Sequence, residues 1–158
     1  MPDTIIAPTA ELAIGLVIGL MREIPRGDAR VRGGGFAGWR PQLYGASLSG
    51  ATVGIMGMGQ LGQAIARRLA GFDAEIIYHD ARPLDPGTEQ ALAASYRSLE
   101  QAAQTSDVLI VALPLSNRTR HLVDAELIGL MRPGAFVVNV GRGSVVDEDA
   151  VADALEAG

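Results

Sequence analysis

The chain reads as an α/β domain built on a parallel sheet, and three observations carry that reading. From Ala51 onward, short β-branched or aliphatic runs alternate with helical patterns, the sequence sign of βαβ units. The run VGIMGMGQLGQ, Val53 to Gln63, packs four glycines (Gly54, Gly57, Gly59 and Gly62) where the first of those strands meets the first helix. The next strand ends in an acid, Asp80, 18 positions beyond Gly62. With 158 residues, 48% hydrophobic and 20% charged, the chain is long enough for one domain with a sizeable core.

The elements follow in order. AELAIGLVIGLM, Ala10 to Met21, predicts a buried helix, with Thr9 as its cap, Pro8 just outside, and Gly15 and Gly19 permitting close approach of another backbone. Its twelve residues fall short of the roughly 20 a bilayer needs, and neither a basic region nor a cleavage site flanks it. Arg22 to Gly50 is rich in Arg, Gly and Pro and reads as a connecting segment, with Pro25 ending or kinking the helix near Ile24. Strands are expected at Thr52–Met56, Ala74–Tyr78, Val108–Ala112 and Ala135–Val140. Helices are expected near Gln60–Ala70, Leu99–Gln104, Ala125–Leu130 and Asp147–Glu156. Residues 1–50 thus form a linker helix and connecting arm, and residues 51–158 a sheet domain.

Charge and composition exclude several functions. A net charge of −5 and a pI near 4.9 argue against a nucleic-acid surface, which needs clustered positive charge to displace counterions. Without cysteine there are no disulfides, no thiolate catalysis and no cysteine-ligated metal, and a reducing cytoplasm is the expected setting. All 13 basic residues are arginine, so the glycine run lacks the lysine of a P-loop.

Between a strand and a helix each glycine acquires a task. Gly57 permits the tight turn, Gly59 leaves room for a pyrophosphate against the backbone, and Gly62 lets the helix pack on the strand. The helix start at Gln60 and Leu61 offers unpaired N–H groups and a partial positive charge, which is why no lysine is needed. Asp80, followed by Ala81, stands where a carboxylate accepts hydrogen bonds from ribose hydroxyls and repels a 2′-phosphate, favouring NAD over NADP, although Arg82 just beyond could partly accept that phosphate. A methyltransferase could share the glycine loop and the acid, and a purely structural turn is the plain alternative.

The second half separates these. ALPLSNRTRHL (Ala112 to Leu122) and NVGRGSVVDEDAV (Asn139 to Val151), with PTAE at Pro8 to Glu11, resemble the NAD-dependent D-2-hydroxyacid dehydrogenase family, and the likeness runs over essentially the whole chain. Within it, GWRPQLYG (Gly38 to Gly45) is similar to the phosphite-oxidising members. The resemblance implies a doubly wound, Rossmann-type sheet, incomplete here, behind a buried linker helix. It also implies a cytoplasmic homodimer and a small anionic substrate, either phosphite or a 2-hydroxy acid.

The resemblance makes Arg142 the residue that binds the substrate anion and stabilises charge during hydride transfer; a planar guanidinium just past a strand's carboxyl end suits that task. The plain alternative is a salt bridge to Asp147 or Glu148. Val140 and Gly141 would lie by the nicotinamide half of the cofactor, where the phosphite-oxidising members are expected to carry a cysteine in place of Gly141. Leu113 and Pro114 would border adenosine, Thr9 the nicotinamide, and Trp39 and Tyr44 a substrate pocket. His79 and His121 have no carboxylate partner identifiable in the sequence and are expected to be structural. The family's glutamate and histidine, and the lysine of its phosphite-oxidising members, have no counterpart here. The chain is therefore expected to be a fragment, most of a cofactor domain, and inactive alone.

Overall fold

The computed structural model describes residues 3–35, 38 and 42–157. A five-stranded parallel sheet runs in the order β3-β2-β1-β4-β5, with β1 Thr52–Met56, β2 Glu75–His79, β3 Ala94–Tyr96, β4 Val108–Val111 and β5 Phe136–Asn139. The order reverses between β1 and β4, and β1 pairs in register with β2 (Met56 opposite His79) and with β4 (Met56 opposite Val111). The carboxyl ends of three strands therefore open side by side at this switch point, the place where open α/β sheets bind ligands.

Both faces are covered, so the central strands are apolar on both sides. Val108 and Ile110 of β4 join a core with α1 (Asp3–Met21) and α3 (Gln60–Leu69). Leu109 and Val111, the alternate residues, join a second core with Ala103 of α5 (Leu99–Thr105), Leu127 of α6 (Ala125–Gly129) and the partly buried Val151 of α7 (Glu148–Ala157). Short helices are held at their ends. Ser98 and Gln101 form a reciprocal capping box on α5. Asp85 caps α4 (Pro86–Leu92), and the hydrogen bond from the Thr88 hydroxyl holds its carboxyl below the usual range.

Three expectations need correction. The first helix begins at Asp3 and carries Pro8 inside it. Pro8 is exposed near the helix start, where its missing N–H leaves only the carbonyl of exposed Thr4 to water. Thr9 therefore does not cap: its hydroxyl donates to the Ile5 carbonyl, 2.6 Å away, within the same helix. The segment Thr4–Met21, with a mean hydropathy of 1.9, is consequently long and apolar enough to cross a bilayer by length and composition, so the argument from shortness fails. One side of it packs in the core, with Ala10, Ala13 and Val17 fully buried and Glu11 pairing Arg68 of α3, but only 22% of the stretch is buried, so the expected buried helix is buried on one side alone. Second, Pro25 opens a helix, α2 (Ile24–Arg32), in whose first turn its fixed φ is favourable. Third, α4 and β3 between Pro86 and Tyr96 were not expected; β3 is three residues of Ala, Ser and Tyr, too short for an alternation signal.

Tyr78 shows how that edge is held. It is fully buried on β2, its hydroxyl donates to Glu89 of α4 (2.6 Å) and accepts from the Leu84 N–H (2.7 Å), and its ring meets Tyr96 of β3 edge-on. Burial first, and then the bond to Glu89, push the phenol up to about 12 from 10.0. A raised folded value means the unfolded chain releases the proton first, so stability present below pH ~10 is lost as pH rises toward ~12. No lysine titrates in that window. We expect alkaline unfolding between pH ~10 and ~12 to be blunted in Tyr78→Phe, which at neutral pH is less stable by roughly 1–3 kcal/mol for the Leu84 N–H and Glu89 left unpaired. Denaturant melts of both proteins against pH check this, and parallel pH profiles would contradict it.

Candidate active site

The first strand ends against the helix that follows it. At Gly57 φ is 96°, a backbone region that disfavours side chains, and its N–H donates to the His79 carbonyl at 2.8 Å. A β-carbon at Gly62 would run into the Gly57 carbonyl oxygen, so α3 starts this close to β1 only because residue 62 has no side chain. A β-carbon on Gly59 would meet nothing within 4 Å. The start of α3 has no side-chain cap and no acid in its first turn, which leaves its N–H groups at Gln60 and Leu61 available to an anion.

Asp80 closes this loop from the neighbouring strand. One carboxylate oxygen accepts the Met58 N–H at 2.7 Å and the other the Arg82 N–H at 3.1 Å. The Gln63 amide donates to the Met58 carbonyl at 3.1 Å. Both polar groups of Met58 are thus engaged while its side chain is buried. Ala81 is exposed beside the acid, and His79 is turned away, its Nδ1 3.1 Å from the Arg97 carbonyl.

Leu113 joins the glycine loop to the end of β5. Its side chain lies against Gly57, and its carbonyl occupies the space a side chain on Gly141 would need. A cysteine at 141 would therefore require the backbone to move. Pro114 continues outward, its carbonyl accepting the Thr119 hydroxyl at 2.6 Å. On the other side the Val140 N–H bonds the Val111 carbonyl, and the Asn139 side chain accepts the Gly141 N–H at 2.9 Å and donates to the Arg142 carbonyl at 3.0 Å. Arg142 is exposed, with one guanidinium nitrogen on the Gly141 carbonyl at 2.9 Å. It forms no salt bridge to Asp147 or Glu148 among the described residues. Asp147 instead faces His121 at 3.4 Å, so His121 does have a carboxylate partner, one that the sequence did not reveal.

The carboxyl edge thus brings together Gly57, Gly59, Gln60, Leu61, Gly62 and Asp80 around one loop, and Leu113, Val140, Gly141 and Arg142 around the next. Thr9 is engaged within α1, whose far end, Met21, lies at the amino edge of the sheet, its carbonyl accepting the Ala46 N–H. Tyr44 is 59% exposed, and Trp39 lies outside the described residues. Two cavities of about 320 Å³ sit near Met21, Ser47 and Ser49, one of them beside the Asp107–Arg132 ion pair. Both are at the amino edge, opposite this site.

The glycines separate in a stability experiment. Gly62→Ala forces carbon against backbone and should cost about 1–3 kcal/mol, lowering Tm by roughly 2–4 °C per kcal/mol. Gly59→Ala enters open space and should leave Tm nearly unchanged. Calorimetry on both variants measures the difference, and equal losses would show that the 59 position is also packed.

Residues 14–158 match the family described as D-isomer specific 2-hydroxyacid dehydrogenase, NAD binding domain. The chain is 40% identical to a glyoxylate reductase of Pyrococcus furiosus over 163 residues, covering 99% of this chain and 48% of that protein, so it spans about half the length of the curated relatives it matches. Among solved structures it resembles Salmonella D-lactate dehydrogenase (TM-score 0.87, 30% identity, 96% of this chain and 45% of that one). It also resembles D-lactate dehydrogenase from Aquifex aeolicus, solved with NAD and lactic acid (TM-score 0.92, 26% identity, 100% and 46%). These relatives act on organic acids by name, which does not support the phosphite reading; the segment behind that reading, Gly38 to Gly45, includes Trp39, Arg40 and Pro41, outside the described residues. The chain belongs to the D-isomer specific 2-hydroxyacid dehydrogenase family, of whose NAD-binding domain it has the sequence and the fold.

Proposed function

We propose that this chain supplies the cofactor-binding and anion-binding parts of an NAD-dependent oxidoreductase that interconverts a small 2-oxo acid of the glyoxylate or pyruvate class and its 2-hydroxy acid. The observation that carries it is the alignment of two loops at the switch point: an anion-accepting loop with Gly59 open, and an exposed guanidinium on Arg142, held in register by Leu113 between them. The names of the relatives support the substrate class.

The site fits a dinucleotide by its own geometry. Gly59 leaves the volume a pyrophosphate fills, the α3 start provides N–H donors, and Asp80 is oriented by two backbone N–H groups with lone pairs remaining for ribose hydroxyls. When bound, NAD supplies the hydride acceptor and NADH the donor. Arg142 holds the substrate carboxylate in two-point contact and remains protonated throughout, so it orients and neutralises but takes no proton. The Gly141 and Val140 backbone would lie by the nicotinamide half of the cofactor, and Leu113 and Pro114 would border its adenosine half. Asp80 disfavours a 2′-phosphate, and the Arg82 N–H, already bonded to it, draws the loop around the acid.

A second copy of this chain is the expected partner. The outer side of α1 exposes Ile5, Leu12, Leu16 and Leu20, by 41 to 57%, with Gly15 and Gly19 unobstructed between them. Leu16→Glu should shift sedimentation toward a monomer, and an unchanged mass would exclude this face.

Binding experiments on the chain test the cofactor reading. Gly59→Val should weaken NADH binding by tenfold or more while the fold persists, since the branched side chain occupies the pyrophosphate volume. Asp80→Ala should narrow the preference for NADH over NADPH. Equal affinity of the unaltered chain for both cofactors would overturn the assignment of Asp80. For the substrate class, glyoxylate, pyruvate and phosphite are compared as substrates of the protein carrying this chain. Preference for phosphite would reject the reading.

A further inference from the structure

The loop that carries Arg142 is held by one side chain on both sides of the guanidinium-bearing residue. Asn139, the last residue of β5, accepts the Gly141 N–H at 2.9 Å through Oδ1 and donates through Nδ2 to the Arg142 carbonyl at 3.0 Å. A carboxamide can do both at once, whereas a carboxylate only accepts and a hydroxyl is too short to span the pair. The first of these bonds is an Asx turn, in which the side chain imitates a backbone turn two residues on. The Arg142 side chain in turn bonds the Gly141 carbonyl at 2.9 Å, so the peptide that Asn139 fixes is the one against which the guanidinium rests. Further along, the His121 N–H donates to the Ser144 carbonyl and Val123 pairs with Val146, so beyond Arg142 the loop is tied down by the backbone of residues 121–123. Val140 packs against the core, and apart from the Arg142 guanidinium itself the side-chain hydrogen bonds to the backbone of Gly141 and Arg142 among the described residues come from Asn139.

We infer that Asn139 is a positioning residue for substrate: it presets the Arg142 guanidinium for the carboxylate before substrate arrives, without touching substrate or cofactor itself. This rests on the reading of Arg142 given above. A displacement of about 1 Å at such a group can cost on the order of 10²-fold in rate, so the effect of losing Asn139 falls mainly on the anion: although Gly141 borders the cofactor, the side chain does not contact the glycine loop or Asp80, which would carry most of the dinucleotide.

The test uses the protein carrying this chain, with glyoxylate and NADH as probes, and compares Arg142→Gln, Asn139→Ala and Asn139→Ser. Arg142→Gln should raise KM for glyoxylate roughly 10- to 100-fold, the loss expected for a charge-assisted pair. Asn139→Ala should reproduce roughly tenfold or more of that rise with the Kd for NADH, read by nicotinamide fluorescence, within about twofold of the unaltered protein. Asn139→Ser, whose hydroxyl can take the Gly141 N–H but not reach the Arg142 carbonyl, should fall between, and it serves as the test if the alanine variant does not fold. Asn139→Ala should add little on top of Arg142→Gln, because both act through one group. If Arg142→Gln leaves KM unchanged, the function proposed for Arg142 fails and this inference falls with it. If Arg142→Gln raises KM but neither Asn139 variant does, or if NADH affinity drops together with glyoxylate affinity, Asn139 is only a structural turn and the inference alone is overturned.

Discussion

The contact between residue 62 and the carbonyl of Gly57 governs how everything at the carboxyl edge is arranged. A helix that follows a strand after three residues must rise almost against the carbonyl of the first loop residue, Gly57, and any side chain at 62 would collide with it. Because the helix starts there, the loop between is only Gly57, Met58 and Gly59, and its direction is set by the left-handed turn at Gly57. The Met58 N–H then has nowhere to go within its own segment. It reaches the next strand, where Asp80 accepts it at 2.7 Å. The orientation of the acid proposed to meet a ribose is therefore tied to the glycine loop through the Met58 N–H.

The same logic extends across the sheet through Leu113. Its side chain fills the space above Gly57 and its carbonyl the space beside Gly141, so the loops after β1, β4 and β5 are packed to one another through a single residue. Close packing transmits displacement because there is no void to absorb it. A change in the dinucleotide loop would thus be felt at Gly141, next to Arg142. This gives a physical reason for the proposed cofactor-binding and anion-binding groups to share one sheet edge: each fixes the other's distance.

Much of this was legible in the sequence, and the parts that were not have identifiable causes. The four strands placed from apolar runs agree with the structure to within a residue at each end, because fully buried parallel strands are continuous runs of Val, Ile and Leu. The glycine spacing announced the turn. Hidden are β3, too short to show a period, and the extent of α1, because a proline near a helix start is tolerated inside the helix and marks no outer boundary. At the site, Asn139 and the pairing of His121 with Asp147 escaped for a different reason. The pairing depends on which loops face each other, and a side chain bonding across 26 residues leaves no local spacing to read, whereas Asn139 bonds only two and three residues on. The asparagine two residues before Gly141 was the one available signal, an Asx-turn pattern at a strand end.

The N-terminal helices pose a separate energetic question. The core accounts for one side of α1, through Ala10, Ala13, Ile14, Val17 and Met21, and leaves the Leu12, Leu16 and Leu20 side to water. Fully burying such a side chain is worth about 1.5–3 kcal/mol, and these are already about half covered, so each contributes roughly 1 kcal/mol more on association. Ile5 and the three leucines, doubled by two-fold symmetry, supply something near 8 kcal/mol against an association cost estimated at about 4–15 kcal/mol. α1 alone therefore gives at most a weak pair. The next helix, α2, buries none of its own residues, exposes Ile24 and Val31, and carries only the surface pairs Arg26–Glu23 and Arg32–Asp28, which contribute little. Its apolar residues are the reserve that a stable pairing of two copies would draw on, so in the proposed homodimer α2 has to pack against the partner as well as α1.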